Sequence, residues 1–266
     1  MLLQGSYDGS SFCDLLRYNF PHLLPFQHLP HLPPGAMQLS LSEAVPFATT
    51  ILALRYAEGV VMAGDRQATE GFEVSSRRIE KVYSADVHSV IAIAGAAGPC
   101  IEMVKLFQLE MEHYQKLVGE TLALDGKANR LAHMVKQNLP AAFQGLIVIP
   151  IFAGYDLRAE RGRIFKYDVT GGRYEEQDFY ATGSGGKEAR STLKKRFRKG
   201  MSRGEALRLA VEALVDAADL DVGTSGPDLT RGIFPSVKVV TRDGAEDVED
   251  EELRMISAEL LAALKG

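Results

Sequence analysis

Proline placement divides this chain more sharply than any other feature. Six of its eleven prolines, Pro21, Pro25, Pro30, Pro33, Pro34 and Pro46, fall within the first 48 residues. Proline fixes φ and lacks an N–H, so that stretch forms neither a long helix nor a central strand. By composition, residues 1–48 read either as a disordered leader or as a segment removed from the mature protein. From Thr49 onward the chain turns to apolar runs and amphipathic periods, so residues 49–266 must supply the core.

Strands are expected at 49–56 and 59–64, joined by a tight turn at Ala57-Glu58, and again at 79–83 and 89–94. Gly95, Gly98 and Pro99 break the sheet pattern. A helix over 100–118 places Val104, Phe107, Met111, Tyr114 and Val118 on one face, and a second over 127–143 is ended or kinked by Pro140. Strands follow at 146–152, 163–167 and 178–182, then helices at 186–197 and 203–218. A loop at 221–227, a strand at 236–241 and a helix at 251–264 complete the order. Grouped strands between grouped helices predict two packed sheets with helices outside.

Composition narrows the function. A formal net charge of -5 argues against a nucleic-acid binder, which usually shows a basic surface. Cys13 and Cys100 form no CxxC pair, so neither a zinc nor a redox motif is supported and a reducing, cytoplasmic setting is expected. Residues 1–5 lack the Lys or Arg of a secretory signal, and no apolar run reaches the ~18 residues of a membrane span. A Ser-His-Asp triad needs a histidine. Beyond residue 48 there are His88, in a turn, and His113 and His133, on helices where a surface place is the better reading. Two further motifs fail. Thr182-Gly183-Ser184-Gly185-Gly186 has threonine where a nucleophile elbow needs its first glycine, and Gly186-Lys187 is followed by Glu188, where a phosphate loop needs Ser or Thr.

Thr49 offers a different chemistry. A hydroxyl is a poor nucleophile until a base takes its proton. A threonine at a chain terminus carries such a base, the α-amine, with an unperturbed pKa of roughly 7.7–8. An internal threonine has only a non-basic amide there, so this chemistry requires a cut between Ala48 and Thr49. Taken alone, Thr49-Thr50 is an ordinary β-branched strand start.

Its company changes the reading. Thr49-Thr50-Ile51-Leu52-Ala53-Leu54, Met62-Ala63-Gly64-Asp65-Arg66, Lys81-Val82-Tyr83, Ile93-Ala94-Gly95, Thr182-Gly183-Ser184-Gly185 and the run 221–226 together resemble the proteasome β-subunit family across residues 49–266. The stretch Gly226-Pro227-Asp228-Leu229-Thr230-Arg231-Gly232-Ile233-Phe234-Pro235 is similar to its bacterial, actinobacterial-type branch. The resemblance implies an α+β fold, a four-layer αββα sandwich of two antiparallel sheets flanked by helices, of the N-terminal-nucleophile (Ntn) hydrolase type. It also implies a threonine endopeptidase with residues 1–48 as a self-cleaved propeptide and 49–266 as the mature domain.

Residue by residue, the family's nucleophile falls on Thr49, its acid on Asp65 and its lysine on Lys81. Lys81 beside Thr49 would favour the less protonated nucleophile, and Asp65 would hold Lys81 charged and oriented. The resemblance assigns an oxyanion-binding N–H to Gly95 and a supporting hydrogen-bond group to Ser184, Asp221 and Thr224. Thr69 and Ala97 resemble positions that pair with an extended peptide, while Ala68, Ile79, Ile93 and Ile101 line the pocket or, equally in character, pack the core. Such a pocket predicts cleavage after hydrophobic residues. No cofactor and no metal are implied.

The family often has serine where Thr224 stands, and glycine where Ala48 and Ser225 stand. Glycine reaches the unusual backbone geometry of self-cleavage easily and alanine less so, so cleavage is expected to be slower than in an Ala48→Gly variant. As partners the resemblance implies α-subunits and other β-subunits, in two heptameric β-rings between two heptameric α-rings. It further implies a ring ATPase reached through the α-rings and unfolded polypeptides tagged by a prokaryotic ubiquitin-like protein, with no nucleic acid and no membrane. Two readings stay open. An HslV-type protease chamber subunit shares the Gly64-Asp65-x-Gln67-Ala68-Thr69 pattern, and a non-catalytic proteasome-like subunit would keep its leader.

Overall fold

The computed structural model describes residues 49–70 and 73–263. The expected propeptide, Ala48 and Cys13 lie outside the described residues.

Twelve strands form among the described residues. β1 (Thr50–Arg55), β2 (Val60–Gly64), β10 (Phe179–Gly183), β11 (Ser236–Thr241) and β12 (Gly244–Asp247) make one antiparallel sheet in the order β10-β1-β2-β11-β12. A second runs β5 (Val82–Asp86), β6 (Ser89–Gly95), β7 (Val148–Asp156), β8 (Arg161–Tyr167), β9 (Arg173–Glu176) in sequence order. A two-stranded ribbon, β3 (Ala68–Glu70) with β4 (Glu73–Ser76), stands apart from both.

Side chains alternate across each strand, and that period divides the interior into three cores. Ile51, Ala53, Val60 and Met62 meet Val90, Ala92, Ile151 and Ile164 between the sheets. Leu52, Leu54, Val61 and Ala63 point the other way, onto α4 (Gly186–Arg196), α5 (Arg203–Leu220) and α6 (Asp250–Ala263). Ile91, Ile93, Phe152 and Phe165 face α1 (Ala97–Val118) and α2 (Leu124–Gln137). Buried on both faces, the central strands read as continuous apolar runs although the sheets are antiparallel. The result is the expected four-layer αββα sandwich. Among the described residues no helix is long and apolar enough to cross a membrane.

The differences from the sequence expectation have local causes. α1 begins at Ala97, before Pro99, because a first-turn proline gives up an N–H the helix does not need. Its buried residues stop at Met111, leaving Tyr114 and Val118 37% and 55% exposed rather than on a buried face. The expected helix at 127–143 starts earlier and breaks at Asn138, whose side chain donates to the Leu146 carbonyl at 3.0 Å, and Pro140 sits in a separate turn, α3 (Leu139–Ala142). The strand expected at 79–83 begins only at Val82. Ile79 is diverted from the sheet into a cavity lining. Strands β3, β4, β9 and β12 were not expected, since they are three or four residues long and mostly polar.

Candidate active site

Thr49 lies just ahead of β1 and is 7% exposed. Two segments hold it. Its carbonyl accepts from the Ser184 N–H at 2.8 Å, and its backbone nitrogen donates to Ser184 Oγ at 3.2 Å. Ser184 follows β10, whose register against β1 pairs Thr50 with Gly183. Gly183 has φ +100°, and a Cβ there would stand 1.8 Å from the Thr49 carbonyl oxygen. Only glycine fits, because the turn needs both positive φ and close backbone approach.

Asp65 follows β2, one residue past its pairing with β1, and is fully buried. Its Oδ1 accepts from the Thr50 N–H at 2.8 Å and from Lys81 Nζ at 2.6 Å. Its Oδ2 accepts from the backbone N–H groups of Gln67 at 2.9 Å and Ser225 at 3.2 Å. One carboxylate thus joins four chain segments. Lys81 is 5% exposed, a buried ammonium with the partner such a charge requires. Burial lowers its pKa below the ordinary 10.5, against the opposing pull of Asp65.

A second cluster forms around Asp221. Ser184 Oγ and Thr224 Oγ1 each donate to Asp221 Oδ2 at 2.5 Å. Asp221 ends α5, and its Oδ1 accepts from the Gly223 N–H at 3.1 Å, bending the chain back toward Thr224. Ser225, where the resemblance leads one to expect glycine, needs no positive φ.

A cavity of about 90 Å³ opens where the 67–69 and 79–83 segments meet the end of β6 and the start of α1. Thr49, Lys81 and Gly95 line it together with Ala68, Thr69, Ile79, Ile93, Ala97 and Ile101. Every pocket and peptide-pairing residue expected from the sequence therefore borders one space, whereas Ser184, Asp221 and Thr224 do not line it. Gly95 has φ +135°, and a Cβ on it would meet the Ile147 carbonyl oxygen at 2.1 Å, so this wall also requires glycine. A larger cavity of about 580 Å³, lined by Arg66, Lys238 and Asp247, lies beside β5 and does not include Thr49.

Sequence reasoning missed several lining and bracing groups. Tyr83 and Cys100 border the cavity, and burial pushes the Cys100 thiol up to about 12 although Lys81 pulls it down. Gln67 is buried, and its Nε2 donates to the Val222 carbonyl at 2.8 Å, clamping the Asp221 loop. Gln67 stands among Asp65, Arg66, Thr69 and Glu70, so no local pattern marks it as buried. Nothing in the local pattern separates Cys100 from core.

Two sheets face to face with helices outside, and a buried lysine and a threonine on one cavity at their edge, make the architecture that of an Ntn-hydrolase-type αββα sandwich. The family model described as "Proteasome subunit" matches residues 45–229. A protein named proteasome subunit beta from Acidimicrobium ferrooxidans is 54% identical over 226 residues, covering 85% of this chain and 83% of its own. Proteins of the same name from Stackebrandtia nassauensis and Acidothermus cellulolyticus are 53% and 50% identical, each over 96% of this chain and over 91% and 87% of their own lengths. The chain belongs to the proteasome subunit family, on its β-subunit branch.

Proposed function

We propose that this chain is a catalytic β-subunit, a threonine endopeptidase that hydrolyses peptide bonds of unfolded proteins after self-cleavage between Ala48 and Thr49. The observation that carries this reading is the buried Lys81, paired with Asp65, on the cavity that Thr49 also borders. A buried ammonium costs several kcal/mol of desolvation, which core packing alone would not favour. The buried Lys81 favours a deprotonated neighbour, which is what a hydroxyl nucleophile needs.

In this reading residues 1–48 are a propeptide and residues 49–266 the mature domain. Once Thr49 is freed, its amine takes the proton of its own hydroxyl as Oγ1 attacks the substrate carbonyl. The Gly95 N–H stabilises the oxyanion, and the amine returns the proton to the leaving nitrogen. Water, deprotonated by the same amine, then hydrolyses the ester. Ser184, Asp221 and Thr224 keep the amine oriented. The substrate strand pairs with the backbones of Thr69 and Ala97. Ala68, Ile79, Ile93 and Ile101 receive an apolar side chain, so cleavage follows hydrophobic residues.

Family membership implies assembly into a proteasome core with other subunits. The finer picture is cytoplasmic: heptameric β-rings between α-rings, a ring ATPase on the α-rings, and substrates tagged by a prokaryotic ubiquitin-like protein. The catalytic reading is tested with an electrophilic peptide, a vinyl sulfone bearing an apolar residue next to the warhead. It is expected to modify Thr49 alone and abolish peptide hydrolysis. Modification elsewhere with full loss of activity would contradict the assignment.

A further inference from the structure

We propose that Thr50, the residue after the nucleophile, is a positioning residue whose hydroxyl aligns the Asp221 cluster. This rests on the reading of Thr49 as nucleophile. Thr50 is fully buried at the start of β1. Its Oγ1 accepts from the Gly185 N–H at 2.9 Å and lies 2.6 Å from Thr224 Oγ1.

Counting protons sets the direction of that last contact. A hydroxyl has one proton to give. Thr224 gives its proton to Asp221 Oδ2 at 2.5 Å, so it can only accept from Thr50. Ser184 likewise gives its proton to Asp221 at 2.5 Å and accepts from the Thr49 nitrogen. The order is then Gly185 N–H to Thr50 to Thr224 to Asp221 on one arm, and Thr49 N–H to Ser184 to Asp221 on the other. Both arms run toward one carboxylate oxygen, and each bond polarises the next.

Thr50 also faces the other half of the site. Its backbone N–H donates to Asp65 Oδ1, the oxygen that binds Lys81. With the Ser225 N–H on Asp65 Oδ2 and Gln67 on the Val222 carbonyl, Thr50 ties the Lys81–Asp65 pair to the Asp221 cluster, and among these links its own is the one made by the residue next to Thr49. Gly185 makes room for the junction, since a Cβ there would stand 2.7 Å from Thr50 Oγ1 and 2.9 Å from Thr224 Oγ1. Valine would suit the same buried strand position by shape but would leave the Gly185 N–H without its acceptor and Thr224 without its donor, so the hydroxyl serves here through its hydrogen bonds.

The test uses the assembled particle with its N-terminus verified, a fluorogenic apolar peptide, and Thr50→Val beside Thr50→Ser. Thr50→Val is expected to lower kcat about five- to tenfold, the loss of roughly one well-made hydrogen bond, with KM unchanged within about twofold. Thr50→Ser is expected to restore kcat. In a Thr224→Val background, Thr50→Val should add less than about twofold, because the arm is already cut. Full kcat in Thr50→Val, or independent multiplication of the two effects, would overturn the role. If Thr50→Val does not assemble, Thr50→Cys, a weaker donor, must fall between wild type and Thr224→Val, and wild-type kcat would overturn the role. A Thr49→Ala particle that still cuts peptide would sink the nucleophile reading itself, whatever Thr50 does.

Discussion

Asp65 does more at the residue scale than hold a lysine. Its two oxygens accept from Thr50, Gln67 and Ser225 as well as Lys81, so its charge is spread over four donors in a fully buried place. Removing Lys81 would leave that carboxylate buried without its counter-charge, a change that typically costs about 3–5 kcal/mol. Lys81→Ala is therefore expected to lower the unfolding midpoint and to reduce kcat by about a hundred- to a thousandfold, the scale of losing a key electrostatic group. Chemical denaturation and peptide hydrolysis check the two effects separately. The lowered pKa of Lys81 gives a pH prediction as well. The unfolded chain holds the Lys81 proton to higher pH than the folded one, so the cost of burying the charge is full below the folded pKa. It is relieved as pH rises through that value toward 10.5. Measured against a Lys81→Met/Asp65→Asn reference, stability should rise over that alkaline window. A flat or falling difference would contradict the direction.

At the scale of elements, the start of β1 and the end of β10 form one device. The Thr50–Gly183 pairing delivers Ser184 to both the carbonyl and the nitrogen of Thr49. Gly183→Ala would place a Cβ against the Thr49 carbonyl in a backbone region alanine avoids. It is expected to destabilise by more than about 1 kcal/mol and to stop processing, checked by thermal unfolding and intact mass. Long elements were legible because burial imposes a period: β1, β2, β6, α1 and α5 lie within a few residues of expectation. β9 and β12 were not, since edge strands are held by backbone pairing and surface charge, such as the Arg163–Glu175 bond at 2.7 Å, and carry no apolar alternation. Ile79 misled for a related reason, because an apolar residue lining a cavity looks the same in sequence as one filling a sheet. That Lys81 pairs with Asp65 and borders the same cavity as Thr49 was legible through spacing within a family pattern. Thr50 and Gln67 were not, because their importance lies in partners more than 130 residues away.

Across the whole molecule, the site depends on the spacing of the two sheets. The layer between them is filled by small and branched side chains from both, and Gly64 lets that layer close beside the site. A Cβ on Gly64 would come within 3.3 Å of Ile51, Lys81 and Val82 side-chain atoms. Met62→Ala, which empties part of this layer, is expected to cost about 2–5 kcal/mol in chemical denaturation, the range for large-to-small core changes. The chemistry proposed for Thr49 needs its free α-amine, and so a cut between residues 48 and 49. Alanine at position 48 is expected to slow that step relative to Ala48→Gly, which a time course of intact mass would reveal. The most direct test is the N-terminal residue of the chain in the active particle. Thr49 is predicted to stand first, with Thr49→Ala leaving the chain uncut and inert. A particle that hydrolyses peptides with residue 48 still attached would contradict the account.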